Sequence, residues 1–405
     1  MSKLAINGGT PVFETAAKVP AWPPADPETA ELLKEIYLSH AWSFYGKHEV
    51  AFNEEFAAYT KAASCAMMAN GTVTLEVAMQ ALGIGPGDEV IVPAYSWIAT
   101  GSAVVVCGAT PVMVDIEPDT LCLDPKKIEE AITPKTRAII PVHLYGSMAD
   151  MDKIMAIAAK HDLFVIEDCA HAHGSEWNGK HAGTIGKVGS FSFQQSKTVA
   201  SGEGGACITN DPELGEALGR ISHIGYQYGA VQGQATAPPP MGMISHNYRI
   251  TEFQAAILRS QLRTLRADTE FRARNAEILR KRLNAIPGIR VQAPGRCATL
   301  QGYYQFAFMI DPAVLKEGIA TKDFCAAVRA EGVTGCGSSG WGALMYRHRL
   351  WSIPENLYRV ASFETAEDIV KNKLGTMSLS WLMLSEEEIH KVADAFEKVM
   401  AEYSR

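Results

Sequence analysis

The chain has 405 residues, 47% of them hydrophobic and 20% charged, with a formal net charge of -8. That length accommodates two cores at roughly 100–200 residues per domain, and the composition excludes an intrinsically disordered protein. An acidic balance without a basic stripe argues against nucleic acid as a partner, while leaving room for one phosphate held by local groups.

The opening stretch, Met1-Ser2-Lys3-Leu4-Ala5-Ile6-Asn7-Gly8-Gly9, lacks the long apolar run of a signal peptide. No later run reaches the ~18 apolar residues of a membrane helix, so a cytoplasmic protein with no membrane partner is expected. From about residue 60 to 210 short apolar runs alternate with helical periodicity, the signature of a mostly parallel sheet covered by helices. The spacing of Leu75, Ala78, Met79 and Leu82 predicts a helix from Thr72 to Leu82, with that stripe as core. Strands are predicted at Glu89 to Val92, Thr110 to Val114, Ala138 to Val142, Leu163 to Glu167, Gly189 to Phe193 and Gly205 to Thr209, and a second helix from Met151 to His161. Gln227 to Ser245, with Pro238-Pro239-Pro240, has no period and reads as a loop. One long helix is expected from Thr251 to about Leu283, ending at Ile286-Pro287-Gly288, followed by a smaller α+β unit closed by a helix from Glu386 to Tyr403. The expected division is therefore a large domain at 1–260, carrying an N-terminal arm, and a small domain at 261–405. Cys65, Cys107, Cys122, Cys169, Cys207, Cys297, Cys325 and Cys336 form no C-x-x-C pair and read as reduced, buried thiols.

The chemistry concentrates around Lys197. It ends Ser190-Phe191-Ser192-Phe193-Gln194-Gln195-Ser196-Lys197, runs into Ser201-Gly202-Glu203-Gly204-Gly205, and follows the acidic turn Glu167-Asp168-Cys169-Ala170-His171. A lysine amine can form a Schiff base with the aldehyde of pyridoxal phosphate, and a carboxylate against the pyridine nitrogen keeps that nitrogen protonated. Asp168 closes an apolar strand, at the end where open α/β sheets bind ligands. Asn70-Gly71-Thr72 opens a helix whose free N–H groups suit a phosphate, although the same residues also read as an ordinary cap. Ser192 is a second phosphate donor or a plain strand serine. Trp97 either stacks on a bound ring or fills a core or interface. His171 and His173 lie near enough in sequence to reach the ring's hydroxyl edge. Gly83-Ile84-Gly85-Pro86-Gly87 misses the G-x-G-x-x-G register, which disfavours a nicotinamide dehydrogenase. His143, His171, His173 and His181 lack an H-E-x-x-H pattern, so no metal site is expected.

These motifs, with Pro93 to Thr100, Pro141-Val142-His143 and Asn247-Tyr248-Arg249-Ile250-Thr251-Glu252, resemble the StrS-type (DegT-like) sugar and cyclitol aminotransferases over nearly the whole chain. The resemblance implies an aspartate-aminotransferase-like (fold type I) α/β enzyme that uses pyridoxal 5'-phosphate. It further implies that Gly71, Thr72 and Ser192 hold the cofactor phosphate and Trp97 stacks on the ring. Asp168 would meet the pyridine nitrogen, His171 would neighbour the ring hydroxyl, and Lys197 would carry the cofactor and move protons. Asn247 would reach the phosphate of the other subunit, which makes the protein a homodimer with shared sites. His143, Tyr145 and Arg249 are candidate substrate contacts. Gln194-Gln195 stands where many nucleotide-sugar members have His-Pro. That form resembles the glutamine-dependent aminotransferases of scyllo-inosose and 2-deoxy-scyllo-inosose and the aminohydroxybenzoate synthases. The implied reaction moves an amino group from glutamine or glutamate to a keto-cyclitol. The alternatives are a nucleotide-linked keto sugar as acceptor and, in another class, a non-catalytic sensor or scaffold of the same fold. A sugar dehydratase of this fold would carry histidine where Lys197 stands.

Overall fold

The computed structural model describes residues 3–234, 237–338 and 341–405. Its main sheet has eight strands, in the order Ser64–Met68, Gly205–Thr209, Val188–Ser192, Phe164–Asp168, Thr136–Ile139, Glu89–Pro93, Thr110–Val114 and Arg359–Val360. Gly205–Thr209 runs against both its neighbours, and the pairings from Val188–Ser192 across to Arg359–Val360 are parallel. The two predicted strands Thr110–Val114 and Gly205–Thr209 and the helices Met151–His161 and Glu386–Tyr403 are found with the expected bounds.

Two expectations are corrected. The strand predicted to reach Val142 ends at Ile139, because Pro141 has no N–H for a ladder and instead its carbonyl accepts from Asp168 N at 2.9 Å. The long helix is two, Glu252–Leu262 and Leu265–Asn284. At the break Arg263 N and Thr264 N bond three residues back, to Ser260 O and Gln261 O, and the Thr264 hydroxyl competes for that Gln261 carbonyl at 3.4 Å. The main sheet also takes an edge strand, Arg359–Val360, from late in the chain. The loop expected over Gln227 to Ser245 carries no helix or strand in its described residues; Ala235 and Thr236 lie outside them.

A second, antiparallel sheet comprises Ile289–Val291, Gln305–Ile310, Leu374–Ser378 and Cys336–Ser338. It packs on Leu265–Asn284 and Glu386–Tyr403 around Phe308, Phe324 and Phe396. The N-terminal residues Leu4 and Phe13 belong to this second core. They are tied there by the buried Glu331 carboxylate, which accepts from Ala5 N at 2.8 Å and Val12 N at 3.1 Å and pairs with Lys398 at 2.8 Å. Among the described residues, no helix is long and apolar enough to cross a membrane.

Candidate active site

The sheet topology brings four chain segments to one rim. Asp168 and Ser192 are the last residues of adjacent strands, and the reversed strand begins beside them, with Gly205 opposite both Ser192 and Met68. Asn70 and Gly71 follow Met68 directly. Small residues are required here: a Cβ on Gly71 would lie 2.5 Å from Ser192 Cβ, and one on Gly205 would lie 2.6 Å from the Asn70 backbone. The result is a cavity of about 610 Å³ at the strand ends, lined in part by Gly71, Thr72, Trp97, Asp168, Ser192 and Lys197.

Asp168 is held at both ends. Thr100 Oγ1 donates to one carboxylate oxygen at 2.9 Å and the Ala170 amide to the other at 3.2 Å. Because Thr100 spends its proton there, it accepts from Ser96 Oγ at 3.0 Å. Burial raises the Asp168 carboxyl above its usual range, opposed by Thr100, Ala170 and the charge of Lys197. A cationic group facing it would reverse that shift, which is what a protonated ring nitrogen supplies.

Lys197 sits in a loop laced shut by Phe193 N to Gly204 O at 2.7 Å, Gln195 N to Gly202 O at 2.8 Å and Ser201 N to Phe193 O at 2.9 Å. Gly202, at φ 84, makes the return turn in a region that favours glycine. The Trp22 indole adds a bond to the Lys197 carbonyl at 2.9 Å, so the backbone is fixed while the amine stays free to work. Part of the side chain opens on the cavity, but atoms close around the amine itself. Burial brings that amine down from 10.5 to about 8, with Asp168 pulling the other way. It is 4.8 Å from the centre of the Tyr304 ring. An amine near neutrality in its titration is suited to nucleophilic and proton-transfer work.

His171 lines the same cavity, its ring 4.0 Å from that of Tyr304 and 20° from parallel. Its Nδ1 accepts from Tyr145 N at 3.4 Å, which leaves Nε2 to carry the proton. Burial, then the charge of Lys197, keeps the imidazole well below its usual range and therefore neutral. It can donate a hydrogen bond without adding charge. Trp97 is 39% exposed and lies 6.1 Å from the Trp341 ring, so it is a cavity wall and no core tryptophan.

Other expected residues fall elsewhere. Two first-turn amides are not free for a phosphate, since Asn70 Oδ1 accepts from both Thr72 N and Val73 N at 3.0 Å; the hydroxyls of Thr72 and Ser192 remain on the cavity wall. His143 does not reach the cavity. It is fully buried, with Nε2 2.9 Å from Glu167 and Nδ1 accepting from Ala149 N. Burial alone would push the Glu167 carboxyl up, but His143 and the amides of Gly186 and Gly183 hold it below its usual range. His143, Glu167 and Cys169 lie within 4.8 Å of one another, yet the carboxylate oxygens are already engaged by His143 and three amides and the thiol points to the Glu167 carbonyl. That set reads as a brace under Asp168 and not as a metal centre. Tyr145 is likewise buried, its hydroxyl 2.8 Å from that of Tyr95. His173 is a core residue between Phe191 and Phe193, lowered to about 3 by burial. Asn247 and Arg249 stand outside the cavity of their own chain, Asn247 exposed and Arg249 over the Phe44 ring at 5.2 Å. Sequence reasoning missed Tyr304 and Trp341, which close the cavity from the second half of the chain, because a Tyr-Tyr pair before an apolar strand looks like core. Thr100, one turn beyond Trp97 in a segment already singled out, was within reach.

The residues fit pyridoxal phosphate: a buried amine and a buried carboxylate share one cavity with a cradle too tight for a Cβ and the residues Thr72 and Ser192, the Ser192 Oγ accepting from Gln194 N at 3.4 Å and keeping its proton to donate. Comparison with known proteins agrees. Residues 24–397 match the DegT/DnrJ/EryC1/StrS aminotransferase family. The L-glutamine:2-deoxy-scyllo-inosose aminotransferase of Streptoalloteichus tenebrarius is 38% identical, covering 98% of this chain and 97% of that one. The enzyme of the same description from Micromonospora echinospora is 36% identical over 100% of this chain and 99% of its own. Among solved structures, 3-amino-5-hydroxybenzoic acid synthase superposes with a TM-score of 0.83 at 30% identity, covering 96% of this chain and 100% of that one. An aminotransferase from Psychrobacter cryohalolentis gives a TM-score of 0.84 at 31% identity over 95% and 99%. The chain belongs to the DegT/DnrJ/EryC1/StrS aminotransferase family and is a pyridoxal-phosphate-dependent aminotransferase of fold type I.

Proposed function

We propose that this enzyme transfers the amino group of glutamine, or less favourably glutamate, to a free keto-cyclitol of the 2-deoxy-scyllo-inosose type. The observation that carries the choice of acceptor is the charge of the site: among the described residues lining the cavity, Lys197 is the one cation, and Asp168 and Glu203 are acidic. A nucleotide-linked sugar needs cationic or clustered N–H donors for its diphosphate; an unlinked ring does not. The full-length likeness to enzymes described as acting on 2-deoxy-scyllo-inosose supports the same reading.

Bound pyridoxal phosphate supplies the electron sink that makes the donor's α-proton removable. The chain supplies the rest. Asp168, steadied by Thr100 and Ala170, presents a negative charge at the inner end of the cavity. The hydroxyls of Thr72 and Ser192 are the phosphate contacts. The Lys197 amine, on its laced loop, is the group that would take the proton from the donor's α-carbon and hand it across the imine to the neighbouring carbon on the same face; such transfer typically contributes ~10²–10⁴-fold. Neutral His171 donates from Nε2, while Trp97 and Tyr304 keep water from the reacting atoms. Asn247, outside its own chain's cavity, is assigned to the site of a second copy in a homodimer. Eight free cysteines suit a reducing, cytoplasmic setting.

The test is to load the holoenzyme with glutamine, glutamate and alanine separately and follow the cofactor absorbance. The amino-charged enzyme is then offered 2-deoxy-scyllo-inosose or a nucleotide-linked 4-keto sugar at equal concentration. Faster discharge by the free cyclitol is expected; the reverse order overturns the choice of acceptor.

A further inference from the structure

A second space of about 450 Å³ adjoins the main cavity, with Gln194, Ser196 and Tyr304 facing both. Its other walls are Trp22, Gln195, Gln305 and the segment Ser378–Ser380, and none of its described lining residues is charged. The junction is a pair of hydroxyls, Tyr304 Oη and Ser196 Oγ, 3.0 Å apart. Along the outer wall, Gln305 pairs in register with Ser378 across neighbouring strands, and the Oγ of the exposed Ser378 lies 3.3 Å from Ser380 Oγ. Gln305 Oε1 is buried without a hydrogen-bond partner in the protein, although buried polar atoms are rarely left so. Trp22, half-buried, commits its N–H to the Lys197 carbonyl and leaves its ring as the apolar wall.

Hydroxyls and carboxamides both donate and accept, so this set matches a ligand that does the same from several adjacent positions. A carboxylate or phosphate would find no cation here. A single carboxamide, such as that of glutamine, would engage only part of the array. A polyhydroxylated ring would use all of it, with its C–H face against the indole.

We propose that this side cavity is the subsite that binds the hydroxyl-bearing ring of the uncharged ketone acceptor, on the premise of the acceptor class assigned above. Because Ser196 precedes Lys197 in the chain and the indole holds the Lys197 carbonyl, a ring seated here is registered against the lysine loop.

The test uses the holoenzyme and two variants, Gln305→Leu and the double Ser378→Ala/Ser380→Ala. Binding of scyllo-inositol, which has the hydroxylated ring but no ketone, is measured by titration calorimetry. Its affinity should fall about tenfold in each variant, as expected for the loss of one or two hydrogen bonds. The KM for 2-deoxy-scyllo-inosose should rise by a similar factor, while the glutamine half-reaction stays within about twofold of wild type. Unchanged scyllo-inositol affinity and ketone KM in both variants overturn the subsite. So does equal slowing of the glutamine half-reaction, which would mark general damage to the lysine loop. Failure of the wild-type enzyme to accept any free keto-cyclitol overturns the premise itself, and is recognisable before any variant is made.

Discussion

Replacing Lys197 with methionine should make the cofactor-free protein more stable near neutral pH. Burial lowers the amine from 10.5 to about 8, and the difference corresponds to about 3.4 kcal/mol by which the folded state disfavours the charged form. Two effects reduce the gain. Part of the side chain faces the cavity, where solvent screens it, and removing the ammonium also removes a charge that favours the buried Asp168 carboxylate. A net stabilisation of about 1–2 kcal/mol remains. With an unfolding entropy of roughly 2.1 cal/mol/K per residue, this raises the melting temperature by about 1–3 °C. The pH dependence has a definite sign. Below about 8 the amine is charged in both states and the full penalty acts. Between about 8 and 10.5 the unfolded chain holds the extra proton, so wild-type stability rises with pH; above 10.5 the penalty is gone. Calorimetric melting of the cofactor-stripped proteins near pH 7 and near pH 10 measures both features. A variant that melts at or below wild type near neutrality, or a gain that persists at the higher pH, would refute the assignment of Lys197 as a strained, buried cation.

Asp168→Asn should fold and bind cofactor but lose about 100-fold in turnover, because a neutral partner no longer favours a protonated ring nitrogen; near-normal steady-state rates would remove Asp168 from that role. If Asn247 completes the neighbouring subunit's site, mixing Lys197→Ala with Asn247→Ala subunits should restore activity absent from either parent, since some hybrids then hold one intact site. Lack of recovery, with subunit exchange verified by native mass, would return Asn247 to its own chain or to no site. Lys398→Met leaves the Glu331 carboxylate buried with the amides of Ala5 and Val12 but no cation. That should cost about 3–5 kcal/mol and expose the N-terminal arm to limited proteolysis. An unchanged melting curve and digest pattern would show that the pair does not anchor the arm.

The parts of the site legible in the sequence are those whose placement depends on local pattern. An apolar run ending in Glu167-Asp168 puts Asp168 at a strand's C-terminal edge wherever that strand lies in the sheet, and the same holds for Ser192 and the glycine-bounded Lys197 loop. Gly71 is readable as a helix start, but only the approach of Ser192 explains why a side chain cannot replace its hydrogen. The tertiary structure decided the rest, because it depends on which distant segments meet. His143 and His171 look alike in sequence; one is buried against Glu167 and the other borders the cavity. Tyr304 and Trp341 close the site only because the second sheet packs against the rim of the first. The N-terminal arm belongs to the second core because Glu331 and Lys398, more than 300 residues later in the chain, bury a charge pair that takes up its amides. Periodicity within a dozen residues carries no information about such meetings, since their energy is set by desolvation and pairing between groups that only the folded chain brings together.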